Sequence, residues 1–188
     1  MLPRIPAAGS LALTTLTAAI MMAPPPGISG PVSRNAAQAP GEPRPPASAS
    51  IDTLPAATLE TLDGDRVDLR STIEGPAVIN LWATWCGPCR REMPELARLH
   101  RELAPAGLQT VGIAISSGSS EEIRSFAEQR GVDYLLLRAS REWARRHFRM
   151  LGMPTTLIVD ADGRIRERLV GPQSAERLRR AVEPLLPG

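Results

Sequence analysis

From Ile51 onward, apolar runs alternate with polar turns, and the spacing of the apolar positions predicts strands and helices in succession. Ala57 to Thr61 and Val67 to Leu69 are short strand candidates on either side of an Asp63-Gly64 turn signal. Ala77 to Ala83 is a nearly continuous apolar run, the pattern of a strand buried on both faces. Met93, Leu96, Leu99 and Leu103 then recur at helical spacing, with Pro94 inside that helix as an expected kink. Gly107 ends the turn, and Gln109 to Ile115 reads as a second buried strand. Glu121 to Arg130 is a helix whose start carries a Ser119/Glu122 capping box. Tyr134 to Leu137 is a short strand, and Ser140 caps a helix running to Phe148. Thr155 to Asp160 and Arg164 to Val170 flank Ala161-Asp162-Gly163, a hairpin signal. Ser174 to Leu186 is an amphipathic helix with Leu178, Val182, Leu185 and Leu186 on one side.

Ahead of Ile51 the pattern changes. Arg4 is the only charge before an uncharged stretch from Ile5 to Ser33, within which Leu11 to Ala23 is apolar and is stopped by Pro24-Pro25-Pro26. That run is short for a spanning helix and fits an export signal. Ala37-Gln38-Ala39 has the small-x-small form of a cleavage site, but Pro40 follows it, so a cleaved signal and a retained membrane anchor both stand. No cysteine lies near the apolar run, which excludes a lipoprotein anchor. Pro24 to Ser50 is rich in Pro, Ala, Ser and Gly and reads as a linker. The expected organisation is a signal peptide or anchor over 1–23, a linker over 24–50 and one folded domain over 51–188, in an extracytoplasmic, periplasmic location.

Charge narrows the function. The 188 residues carry a net charge of +2, and from Ile51 onward 19 arginines face 19 acidic residues, so the domain has no nucleic-acid footprint. Lysine is absent; the 22 basic residues are all arginine, a sign of coding bias more than of function.

The two cysteines of the chain stand in Trp85-Cys86-Gly87-Pro88-Cys89, just after the Ala77–Ala83 run. Two are too few for a disulfide framework, so the pair is reactive, metal-binding or incidental. A strand feeding a helix through this motif puts Cys86 at the helix N-terminus, where the helix end favours a thiolate. Cys86 is then the attacking thiolate and Cys89, one turn further, the resolving thiol. Arg90 and Arg91 either favour that thiolate or form a solvated helix face. His100 and His147 could complete a zinc set with the cysteines, but their spacing matches no ordinary zinc pattern, and no metal is assigned. His147, among Arg145, Arg146 and Arg149, reads as surface, and the arginine cluster as a solvated face or a patch for an acidic partner. Trp143 and Phe148 read as core packing, and Trp82 equally as core or as a neighbour of the motif.

Val78 to Pro94, with Trp85-Cys86-Gly87-Pro88-Cys89 at its centre, resembles the active-site segment of thioredoxin-like proteins, and most closely the exported TlpA/ResA branch. Gly152-Met153-Pro154-Thr155-Thr156, followed by an apolar strand and Asp162-Gly163, resembles that branch's second signature. The resemblance covers about Ala57 to Gly188. It implies a thioredoxin-like α/β fold, a central mixed sheet flanked by helices, and a redox-active Cys86/Cys89 disulfide. It also implies a cis bond before Pro154 in a loop facing the cysteines, where the Met153 backbone pairs with an extended substrate. Cys86, Cys89 and Pro154 are the candidate catalytic residues; Trp85, Gly87, Pro88, Met153 and Thr155 are the candidate substrate-binding set.

The resemblance further implies a monomeric protein-disulfide reductase for exported clients, such as apocytochromes c or copper-site cysteines, recharged by a membrane electron donor. No organic cofactor is implied, since the dithiol carries the electrons. The alternatives are a disulfide-introducing oxidase using the same residues, a non-enzymatic copper-binding assembly chaperone, and a peroxidase. Two departures from relatives bear on proton transfer. Asn80 stands where many thioredoxins carry a buried aspartate, and Ser116 to Ser120 lacks the glutamate that several relatives place in that loop. Glu92 and Glu95 are expected to face solvent.

Overall fold

The computed structural model describes residues 53–187; the expected signal or anchor (1–23) and linker (24–50) lie outside the described residues. The elements follow in the order β1 (Thr58–Thr61), β2 (Arg66–Asp68), β3 (Ala77–Trp82), α1 (Gly87–Leu103), β4 (Gln109–Ile115), α2 (Ser120–Glu128), β5 (Leu135–Ala139), α3 (Arg141–Phe148), β6 (Thr155–Val159), β7 (Ile165–Val170) and α4 (Ala175–Val182). The strands form one seven-stranded mixed sheet, ordered β2-β1-β5-β4-β3-β6-β7. β3, β4 and β5 run parallel, joined by the helical crossovers α1 and α2, while β6 pairs antiparallel with β3, setting Asn80 opposite Thr156.

Period-two alternation along β3 feeds both faces of the sheet. Ile79 and Leu81 pack with Ile113, Leu157 and Phe148 on the face covered by α3. Val78 points the other way, into Leu96, Leu99, Ile158 and Leu178 beneath α1 and α4. Each such fully buried aliphatic side chain stabilises the fold by about 1.5–3 kcal/mol. The expected run of apolar positions in α1 is therefore its packing stripe, and α1 continues through Pro94 as a single element.

Local signals set the boundaries. Ser119 and Glu122 form the reciprocal capping box at the start of α2, and the Ser140 hydroxyl accepts the Trp143 amide at the start of α3. α2 ends at Glu128, two residues short of the expected Arg130, and the last expected helix passes at Glu183 into a short 3₁₀ turn. Gly163 closes the β6–β7 hairpin at φ +75°, where the Arg70 guanidinium occupies the space a side chain would need. Trp82 is core: it is fully buried and stacks on Phe126 with ring centroids 5.6 Å apart. Gly112 on β4 makes room for that indole, since a Cβ there would lie 3.0 Å from Trp82 Nε1.

Candidate active site

β3 ends at Trp82, three residues turn, and Cys86 is the N-cap of α1. Its sulfur accepts the backbone N–H of Cys89 at 3.2 Å, the role that a serine or aspartate oxygen fills in most helix caps. Pro88 sits in the first turn, where its missing N–H has no helical partner to lose, and no acidic residue shares that turn. Cys86 and Cys89 form a disulfide with Cα atoms 5.3 Å apart. The two sulfurs are not equivalent: Cys86 is 6% exposed and Cys89 is fully buried.

A loop from the end of β4 braces the approach to the motif. The Thr84 amide donates to Ser117 Oγ at 3.2 Å and the Thr84 hydroxyl to the Ser117 carbonyl at 3.1 Å. The Trp85 indole N–H donates to the Ser116 carbonyl at 3.0 Å, and Ser116 Oγ accepts the Arg141 amide at 3.2 Å. Ser116 does this in the left-handed region, at φ 46°. Trp85 itself stays 53% exposed, with the Arg141 guanidinium 5.3 Å from its ring centroid.

The second signature lies against the first. The Met153–Pro154 bond is cis, the Pro154 carbonyl accepts the Gly171 amide at 2.9 Å, and the Thr155 hydroxyl donates to the Gly152 carbonyl at 2.7 Å. Met153, Trp85, Cys86, Gly87 and Pro88 line one groove of about 450 Å³, with Arg141 and Arg145 on its rim. Pro154 and Thr155 are buried behind it. Arg90 and Arg91 lie exposed on α1. The histidines do not converge on the cysteines: His100 sits edge-on to Tyr134 at 5.8 Å, and His147 packs on Trp143 at 4.9 Å.

Glu92 departs from expectation. It does not face solvent; it is 1% exposed, one turn beyond Cys89. Its carboxylate accepts Asn80 Nδ2 at 2.8 Å, Thr156 Oγ1 at 3.1 Å and the Gln173 backbone N–H at 3.1 Å. Burial pushes its pKa up to about 6, against the opposing pull of those three hydrogen bonds. The signal was present in the helix phase, because Glu92 falls between Cys89 and Met93 on the stripe that faces the sheet. Glu95 is half-buried, accepting the Ala175 amide at 2.9 Å and pairing with Arg98 at 2.8 Å. The protein thus has a buried acid beside the cysteine pair, supplied from α1 and not from the Asn80 position or the Ser116–Ser120 loop.

Comparison with known proteins agrees with this geometry. The AhpC/TSA family model matches residues 51–168. The chain is 29% identical over 128 residues to the thioredoxin-like protein YneN of Bacillus subtilis, covering 67% of this chain and 74% of that one. It is 24% identical over 127 residues to the thiol-disulfide oxidoreductase ResA of Bacillus anthracis, covering 67% and 72%. The crystal structure of a thiol:disulfide interchange protein of the thioredoxin family from Chlorobium tepidum superposes with a TM-score of 0.63 at 28% identity, over 75% of this chain and 100% of that one. With a Cys-x-x-Cys disulfide capping a helix on a thioredoxin-like sheet, the chain belongs to the AhpC/TSA family and is a thiol-disulfide oxidoreductase of the ResA type.

Proposed function

We propose that this oxidoreductase works as a reductase of disulfides in exported client proteins, of the kind matured as c-type cytochromes or copper-site proteins. The observation that carries the reading is the inequality of the two sulfurs: Cys86 opens on the groove at a helix N-cap, and Cys89 is closed off behind it. In the reduced protein the Cys86 thiolate attacks one sulfur of a client disulfide. The client S–S bond breaks, its second sulfur leaves and takes up a proton, and a mixed disulfide joins Cys86 to the client. Cys89 then gives up its proton and attacks the Cys86 sulfur, displacing the client sulfur first attacked, which takes up a proton and leaves as a thiol. Two electrons pass to the client, one of its two protons comes from Cys89 and the other from solvent, and the Cys86–Cys89 disulfide is the product.

Glu92 is the group we assign to exchanging the Cys89 proton, since it is buried one turn beyond Cys89 and its pKa of about 6 lies closer to neutral pH than an ordinary carboxyl's. Met153, backed by the buried Pro154 and Thr155, forms the wall against which the client lies, with Trp85, Gly87 and Pro88 opposite. The closed disulfide must be reopened by a membrane-bound dithiol donor. The apolar Leu11–Ala23 run supports export as a signal or an anchor; among the described residues no helix is long and apolar enough to cross a membrane.

The test is the reduction potential of the pair in the purified protein, equilibrated with defined thiol buffers. A value near or below about −250 mV, the range of thioredoxin, fits the reductase. A value near about −120 to −180 mV, the range of strong oxidants and isomerases, replaces it with the oxidase reading.

A further inference from the structure

The groove beside Cys86 carries positive charge and no acidic side chain. Arg141 and Arg145, one turn apart on α3, stand on its rim, and no aspartate or glutamate lines it. Both are exposed, and neither has an ion-pair partner among the described residues, whereas Arg146 of the same helix is neutralised by Glu142 at 2.6 Å. Arg141 occupies the first position of α3, where the positive end of the helix dipole disfavours a cation. Its place there is not explained by helix stability. The guanidinium rests over the Trp85 ring at the mouth of the groove, exposed and free to meet a charge outside the molecule.

The rest of the groove is apolar and open. Leu151 is 95% exposed and Trp85 53% exposed. Exposed apolar side chains gathered around a reactive sulfur mark a surface that a partner covers. The domain is close to neutral overall, so the positive field at the rim is local and acts only on a segment already close to Cys86.

We propose that this groove selects client segments whose disulfide is flanked by both apolar and acidic side chains. The apolar residues lie on Trp85, Leu151 and Met153, and a client carboxylate pairs with Arg141 or Arg145. This inference rests on the reading above that Cys86 attacks client disulfides, and it names the chemistry of the clients. The redox step is unchanged: the two electrons still pass from the Cys86/Cys89 dithiol to the client disulfide. The arginines contribute only to capture and orientation.

The test uses two synthetic disulfide peptides of the same apolar sequence, one with glutamates and one with glutamines beside the cysteines. Each is offered to the pre-reduced full chain, and each rate is divided by that of the same peptide with dithiothreitol, which removes the intrinsic effect of the acid on its own disulfide. At low salt the acidic peptide reacts about five- to tenfold faster, as charge pairing at a partner's rim acts mainly on association. Raising the salt to about 0.5 M erases the advantage. In the Arg141→Gln/Arg145→Gln protein the ratio falls to about one, while Arg141→Lys/Arg145→Lys keeps most of it. A ratio near one in the unaltered protein overturns the inference, as does a ratio that survives the glutamine substitutions. Failure of both peptides to react with a protein whose cysteines are demonstrably reduced overturns the reductase reading itself, and this inference with it.

Discussion

The mouth of the site and its floor are built on opposite plans. Around Cys86 the side chains are exposed and held by few bonds: Trp85 by one hydrogen bond to Ser116, Leu151 almost wholly in solvent, Arg141 and Arg145 without ion-pair partners among the described residues. Behind Cys89 the side chains of Asn80, Glu92, Met93 and Thr156 are buried, and Glu92 accepts from Asn80, Thr156 and the half-buried Gln173. Exposed side chains can be exchanged at little cost in stability, whereas a buried, hydrogen-bonded carboxylate cannot. Under the proposed function the mouth meets the client and the floor sets the proton chemistry, and each can be probed from its own side.

The largest effects come from the sulfurs themselves. Cys86→Ser is expected to reduce client disulfides only at the background rate. Cys89→Ser keeps the attack and stops at the mixed disulfide, which accumulates as a covalent adduct visible by mass spectrometry. If Cys89→Ser gave no adduct while Cys86→Ser did, the assignment of attacking and resolving sulfurs would be reversed.

Glu92 comes next. Its carboxyl is held at about 6, above the ordinary 4.5, so its contribution to stability is fully present below pH 4.5 and is lost as the pH rises through 6. The gap is worth about 2 kcal/mol. Glu92→Gln has no such dependence. Between about pH 4 and about pH 7.5, the stability of the variant relative to the parent should therefore rise by about 2 kcal/mol in urea titrations. A difference that stays constant with pH would mean that Glu92 is not the titrating group. Glu92→Ala removes the same titrating group and follows the same pH trend, but it also leaves the Asn80, Thr156 and Gln173 donors without their acceptor, so it should lie about 1–3 kcal/mol below Glu92→Gln at every pH.

Trp85→Phe gives the smallest change in stability, at most about 1 kcal/mol for the lost indole hydrogen bond at an exposed site. Its effect on client reduction should be larger in proportion, a several-fold fall measured with the peptides above. A variant that melted early yet reduced clients normally would put Trp85 in the framework and not in the mouth.

Much of this arrangement was legible in the sequence because its causes are local. The β3 run is apolar throughout, the Ser119 and Ser140 caps act within three residues, and the motif itself places Cys86 at the start of a helix. The burial of Glu92 was not legible in the same way. Charge argued for solvent, and the acceptors' partners come from β6 and from the loop before α4, 64 and 81 residues downstream. The rim was hidden for a similar reason. Arg145 reads as part of a surface cluster and Arg141 carries no signal of its own until the fold sets α3 beside Trp85.

Ser116 has a consequence for how such a groove can change. Its carbonyl holds the Trp85 indole while its hydroxyl holds the first amide of α3, so both walls are indexed to one residue at the tip of β4. Lengthening or shortening that loop would shear one wall against the other while leaving Cys86, Cys89 and Glu92 on their own helix. Under the proposed function, client choice and redox chemistry are separately adjustable parts, and a designer wishing to retarget the enzyme would begin at Ser116 and leave the cysteines alone.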